Sequence, residues 1–161
     1  MIQKVTNQYD FDTLARVLNE SFATVAKEFG LTKENSPTNN AFIAGDDLKS
    51  QLIENREFYT YTDNGRIIGF IAIEKSLDTP DTFYIEKLSV IPDYRHFGIG
   101  RQLMDFASNR IMELGGKRIS IGLINSNIVL KNWYDKLGYV EFSVKTFEHL
   151  PFEVCFMEKK Y

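Results

Sequence analysis

The chain contains a single cysteine, Cys155, among 161 residues, so no internal disulfide is available and packing alone must hold the fold. A lone thiol suits a reducing compartment, and the cytoplasm is the expected location. Long apolar runs are missing as well; none approaches the roughly 20 residues that cross a bilayer, so no membrane partner is expected. The opening Met1-Ile2-Gln3-Lys4-Val5 reads as the start of a strand and lacks the apolar stretch of a secretion signal. Nor is there an excess of positive charge: 19 Lys and Arg stand against 22 Asp and Glu, a net charge of −3. Without a basic stripe to neutralise phosphates, a nucleic-acid partner is not expected. No metal-ligand set, internal repeat or low-complexity tract is evident. What remains is 43% hydrophobic and 25% charged residues, an ordinary globular balance in a length that suits one domain over 1–161.

Periodicity divides the chain into elements. Residues 2–6 read as a short strand. After Asp10, a candidate N-cap, Phe11, Leu14, Leu18, Phe22, Val25 and Phe29 recur every three or four positions, and Gly30 offers a C-cap. Residues 31–45 are polar and broken by Pro37 and Gly45, a loop long enough to suggest function. Asp46 or Asp47 is expected to cap a short second helix carrying Leu48, Leu52 and Ile53. Asn64-Gly65 then predicts a hairpin between strands 57–62 and 66–75. A turn through Asp78-Thr79-Pro80-Asp81 leads into a strand ending at Val90. A helix from Gly98 to Gly115-Gly116, a strand over 118–123, a helix from Asn127 to Leu137 and two strands near 139–146 and 152–159 complete the order. Strands mixed with helices in this order indicate α/β or α+β architecture.

Between the strand ending at Val90 and the next helix lies Arg95-His96-Phe97-Gly98-Ile99-Gly100. Two glycines at a strand-to-helix junction let a ligand approach the main chain, and the helix N-terminus offers unpaired N–H groups and positive dipole. The segment therefore reads as a cradle for a pyrophosphate, with Arg95 and Arg101 available to the anion.

The chain resembles the GCN5-related N-acetyltransferases over nearly its whole length. That family's pyrophosphate motif is Gln or Arg, two residues, Gly, one residue, then Gly or Ala, and Arg95, Gly98 and Gly100 match it without gaps. Val90-Ile91-Pro92 matches the Val-x-Pro common just upstream. Asn127, Tyr134 and Gly138-Tyr139 match a second block in spacing and order, and Phe156-Met157-Glu158-Lys159 is similar to the usual last strand. The resemblance implies a mostly antiparallel mixed sheet of seven strands, splayed between the fourth and fifth and flanked by four helices. It implies acetyl-CoA as cofactor, with pantetheine along Leu88 and Val90 and pyrophosphate held by the backbone of Phe97, Gly98, Ile99, Gly100 and Arg101. Asn127 would contact the pantetheine, act as a plain N-cap, or do both. Lys131 and Lys136 are within the reach expected for the cofactor's 3′-phosphate.

Transfer of acetyl to an amine requires loss of an ammonium proton, stabilisation of an oxyanion, and a partner for the departing thiolate. Tyr134 is assigned the last task, as acid or as hydrogen-bond donor. Glu86 is the candidate base, directly or through water, with Tyr84 and Leu88 expected on its face of the strand; a solvent-facing Glu86 paired with Lys75 or Lys87 is the alternative. Phe22, Phe29 and Phe42 are candidate walls of the acceptor site, with Asn35, Asn39 and Asn40 as polar liners and His149 at its border. The acceptor is read as a primary amine of a small metabolite or of a protein or peptide, attacking directly in a ternary complex. The alternatives are a CoA-binding sensor without catalysis and a transferase of longer acyl groups. An exposed last strand also invites pairing with a second copy of the chain.

Overall fold

The apolar stripe after Asp10 forms α1 (Phe11–Glu28) in the computed structural model, which describes residues 1–161. The Asp10 carboxylate accepts from the N–H groups of Asp12 and Thr13, and Leu14 and Leu18 are fully buried against the sheet. The segment that follows is ordered by its own side chains. Asn35 and Thr32 exchange hydrogen bonds, Asn39 caps a single 3-10 turn at Asn40–Phe42, and Asn19 of α1 donates to the carbonyls of Asn40 and Ile43. The short α2 (Gly45–Ser50) begins before the expected cap at Asp46 or Asp47: Ala44 is its N-cap and makes no side-chain bond. Asp46 and Asp47 sit instead in the first turn, where their charge meets the positive end of the helix.

Seven strands form one sheet: β1 (Ile2–Lys4), β2 (Arg56–Asp63), β3 (Arg66–Lys75), β4 (Thr82–Val90), β5 (Arg118–Ile124), β6 (Val140–Thr146) and β7 (Glu153–Lys160). Their spatial order is β1-β2-β3-β4-β5-β7-β6, antiparallel throughout except at β4–β5. The last strand is therefore not an edge. β7 is inserted between β5 and β6, so the edges are β1 and β6, and an invitation to a second copy along the last strand is withdrawn. The two remaining helices are α3 (Ile99–Glu113) and α4 (Ile128–Lys136).

Register assigns the two faces. Arg56 pairs with Glu74, Phe58 with Ala72, Glu74 with Tyr84 and Ala72 with Glu86, so these side chains share one face. That face meets α2 and the loop before it, because Arg56 donates to the Gln51 carbonyl at 3.2 Å. The other face carries Tyr59, Ile71 and Ile73 and packs on α3, where the Tyr59 and Phe106 rings meet edge to face at 4.7 Å. Gly69 permits that contact: a side chain there would meet the Ser89 carbonyl at 3.0 Å and Leu103 at 3.1 Å.

On the α3 face, one carboxylate ties three elements together. Glu57 accepts from Arg110 of α3 at 2.9 and 3.0 Å, from Lys4 of β1 at 2.9 Å and from the Tyr59 hydroxyl at 2.6 Å. The Arg110 hydrogen bonds are the main reason its carboxyl is held down to about 2, from an ordinary value of 4.5. Its contribution is complete above pH 4.5 and is lost as the pH falls through about 2. Glu57→Gln should cost roughly 2 kcal/mol at neutral pH and should flatten the loss of stability in acid; urea denaturation across that range measures both effects.

Candidate functional site

β4 and β5 separate early. Thr82, Phe83 and Tyr84 pair with Arg118, Ile119 and Ser120, and beyond them no pairing joins the two strands. β4 remains paired to β3 as far as Val90, and β5 remains paired to β7 as far as Ile124. Each strand thus keeps one bonded edge and presents one bare edge to the gap. Buried backbone groups need partners, and here the gap leaves them to solvent or to a ligand. Leu88 and Val90 lie on this part of β4, both half-buried.

At the end of β4 the chain turns into α3. Gly98 is its N-cap, with a left-handed φ of 81° that a glycine adopts without strain. The other two helices longer than two turns are capped by side chains, α1 by Asp10 and α4 by Asn127. α3 has no side-chain cap, and its first intrahelical bond runs from Gln102 N–H to the Gly98 carbonyl. The N–H groups of Ile99, Gly100 and Arg101 therefore have no partner within the helix, the arrangement that receives an anion. A side chain at Gly100 would meet the Trp133 ring at 3.6 Å, so α4 stands beside this N-terminus. Phe97 is exposed, and Arg101 reaches only Asp105 at 3.7 Å.

Arg95 is occupied elsewhere. Its Nε donates to the Val90 carbonyl at 3.0 Å, one terminal nitrogen to Thr24 Oγ1 at 3.0 Å and the other to the Ser21 carbonyl at 2.6 Å. The guanidinium pins the loop to α1. Lys131 is likewise engaged, with Asn125 at 2.8 Å and Glu141 at 3.5 Å. Asn127 is a buried N-cap that accepts from Leu130 N–H at 3.2 Å. Lys136 and His96 are exposed.

Glu86 lies among charges from three strands. Arg56 of β2 bonds Glu74 of β3 at 2.8 Å and stands 4.0 Å from Glu86 of β4. Burial, and next the neighbouring Glu74 carboxylate, push the Glu86 carboxyl up to about 7. Burial works against ionising Glu74 too, yet Glu86 and Arg56 hold it below the usual carboxylate value. Of the two acids, Glu86 is therefore the one that keeps its proton to higher pH. Neither Lys75 nor Lys87 forms an ion pair with Glu86; Arg56 and Glu74 are its partners.

A bulge follows Glu86. Ala72 pairs with Glu86 but Phe70 pairs with Ser89, so Lys87 and Leu88 together oppose one residue of β3. Ser89, not Leu88, is the next residue on the Glu86 face, which corrects the simple alternation expected from the sequence. Lys87 takes a left-handed φ of 56°, at a cost of about 1–2 kcal/mol for a residue with a side chain. Its ammonium donates to Asn40 Oδ1 at 2.7 Å, and burial lowers it to about 8.

Tyr134 is buried, with its ring edge to face against Trp133 at 5.1 Å and Tyr139 at 5.8 Å. No protein group bonds its hydroxyl, and burial raises it above the ordinary phenol range. Phe29 and Phe42 meet Ala26, Leu31, Ile124 and Phe152 in a small apolar cluster apart from the main core, whereas Phe22 packs on the main core. His149 is exposed beside Phe147. Sequence reasoning singled out neither Arg56, Glu74 nor Lys87 as site residues. The register that brings Arg56 opposite Glu74 depends on a shift between Tyr61 and Thr62 that the sequence does not mark, and for Lys87 there was no signal.

Residues 20–139 match the acetyltransferase (GNAT) family pattern. Among curated proteins, the probable N-acetyltransferase camello of Xenopus tropicalis is 28% identical over 119 residues, covering 69% of this chain and 52% of that protein. The chain thus matches about half the length of that relative. The fold superimposes on the crystal structure of ribosomal-protein-S18-alanine N-acetyltransferase from Escherichia coli with a TM-score of 0.77 at 16% identity, over 99% of this chain and 92% of that one. It also superimposes on the PaiA N-acetyltransferase of Thermoplasma acidophilum, solved with coenzyme A, with a TM-score of 0.71 at 23% identity over 100% and 98% of the two chains. The architecture, the uncapped helix beside a parted sheet and the match across most of the sequence have one conclusion: the chain belongs to the acetyltransferase (GNAT) family.

Proposed function

We propose that this chain is a single-domain N-acetyltransferase, working in the cytoplasm, that moves acetyl from acetyl-CoA to a primary amine by direct attack in a ternary complex. The observation that carries the reading is the bare edge of β4 followed, after a 3-10 turn at Pro92–Tyr94 and a short loop, by the uncapped N-terminus of α3. An extended amide-bearing arm fits the first, and a pyrophosphate fits the second. Acetyl-CoA supplies the activated acetyl group. The N–H groups of Ile99, Gly100 and Arg101 hold its phosphates, with Gly98 shaping the turn. Leu88 and Val90 offer main chain to the pantetheine, and Asn127 fixes the start of α4 beside it. Arg95 serves this site by anchoring the loop to α1. The acceptor enters from the face that carries Glu86, with Phe29, Phe42 and their cluster as its apolar wall.

Glu86 takes the ammonium proton. A carboxyl near 7 is poised to accept and release a proton at neutral pH. Tyr134 acts on the sulfur as a hydrogen-bond donor. A thiol ionises near 8.5, and burial carries the phenol upward from 10, so full proton transfer to the thiolate is uphill. A hydroxyl with no protein partner is free to give its hydrogen bond to that thiolate, where charge develops. Cys155 is buried inside the sheet, which speaks against an acetyl-cysteine route and supports direct attack.

Thiol release from acetyl-CoA across a panel of amines tests the reading. Release is expected with at least one amine, and Tyr134→Phe should lower kcat by about 10²-fold, the scale of a lost transition-state donor, with acetyl-CoA affinity unchanged. Tight CoA binding without release for any amine would favour a sensor, and an unchanged kcat would remove Tyr134 from the chemistry.

The carboxylate pair makes a second prediction. With acceptor saturating, kcat should rise with pH through about 7 as Glu86 ionises. Glu74→Gln removes the like charge beside Glu86 and leaves Arg56 to it, so the rise should move to lower pH by about one unit. A pH–kcat profile that does not move would separate Glu74 from the base.

A further inference from the structure

Lys87 directly follows Glu86 and occupies a conformation that a bulge normally gives to glycine. Its ammonium is half-buried and has one partner, the Asn40 side-chain oxygen at 2.7 Å. An ammonium carries three donors, so two remain. No carboxylate lies within ion-pair distance of it. The acids of this face are engaged by Arg56, Glu74 at 2.8 Å and Glu86 at 4.0 Å. Burial works against this cation and the neighbouring Glu86 offsets it only in part, so an anion supplied by a ligand relieves a real cost. Asn40 is itself held in place, since Asn19 of α1 donates to its carbonyl at 3.0 Å.

Consecutive residues of β4 thus offer the acceptor one carboxyl and one ammonium. This pairing mirrors a zwitterion. We propose that Lys87, oriented by Asn40, binds the carboxylate of an acceptor that carries amine and carboxylate on one small molecule, an amino acid being the simplest case. The inference rests on the cleft beside Glu86 being the acetyl-transfer site. A polyamine or aminoglycoside fits poorly, because Lys87 and Arg56 repel further ammonium groups and the acids nearby are already neutralised. A phosphate fits poorly as well, since such groups draw arginine forks or several N–H donors rather than one lysine. The competing role for Lys87 is mechanical, pinning the 31–45 loop to the sheet. That role makes no distinction between charged and neutral acceptors.

The experiment measures kcat/KM by thiol release for amino acids and for their α-carboxamides, in wild type, Lys87→Met and Lys87→Arg. The amide's amine is less basic and more fully deprotonated at neutral pH, a bias against the expected outcome. Wild type should prefer the free acid by about tenfold or more; Lys87→Met should lose far more rate on the acid than on the amide and so abolish that preference, and Lys87→Arg should retain it. Amides used as well as acids by wild type, or equal losses on both in Lys87→Met, overturn the proposal. Should Lys87→Met fail to bind CoA, the wild-type and Lys87→Arg preferences decide alone. Release confined to amines without a carboxylate overturns this inference but leaves acetyl transfer standing. No release with any amine overturns both.

Discussion

Parallel pairing between β4 and β5 stops at Tyr84 and Ser120, and the features of the site follow from where it stops. Had the ladder continued, the backbone of 85–90 would be spent on β5 and no groove would reach α3. Two arrangements keep the strands apart. β5 is drawn along its other edge by β7 as far as Ile124, and β4 is held to β3 by a ladder that absorbs a bulge at Lys87 and Leu88. The bulge increases local twist and re-aims the side chains beyond it. It also brings Lys87 to the side where Asn40 waits, next to Glu86. One irregularity thus shapes the groove and sets the charge beside Glu86.

The loop that closes the groove is fixed from the opposite direction. Arg95 spends its guanidinium on Val90, Thr24 and Ser21, so the cradle is tied to α1 and not to its own ligand. In the proposed reading the anion is left to main-chain N–H groups, whose geometry a rigid turn fixes better than a flexible side chain would. The Glu74–Glu86–Arg56 group applies the same economy to protons. Of two acids beside one arginine, burial makes Glu86 the one that holds its proton to higher pH. Tyr134, raised by burial and free of protein partners, is suited to donating a hydrogen bond without giving up its proton.

Elements governed by local periodicity were legible in the sequence. The stripe from Phe11 to Phe29 identified α1, Asn64-Gly65 marked the hairpin, and the glycines at 98 and 100 marked an open helix end. What escaped reading depends on contacts distant in sequence. The insertion of β7 between β5 and β6 leaves no local trace, which is why the final strand looked like an edge. Arg95 looks like a phosphate ligand until α1, more than seventy positions earlier, takes its donors. Counting outward from Asp63–Arg66 pairs Arg56 with Ile73; a register shift between Tyr61 and Thr62 moves it opposite Glu74. A lysine in the left-handed region gives no warning at all, since composition favours glycine there.

The central claim is that two successive stretches of backbone, the bare edge of β4 and the first turn of α3, receive acetyl-CoA. Amide hydrogen exchange with and without acetyl-CoA tests it most directly, because it reports on the N–H groups themselves. The account predicts slowed exchange at Ile99, Gly100 and Arg101 together with amides of β4 between Ile85 and Val90 that face the gap. Saturating acetyl-CoA that protects other parts of the molecule and leaves both of these segments unchanged would contradict it.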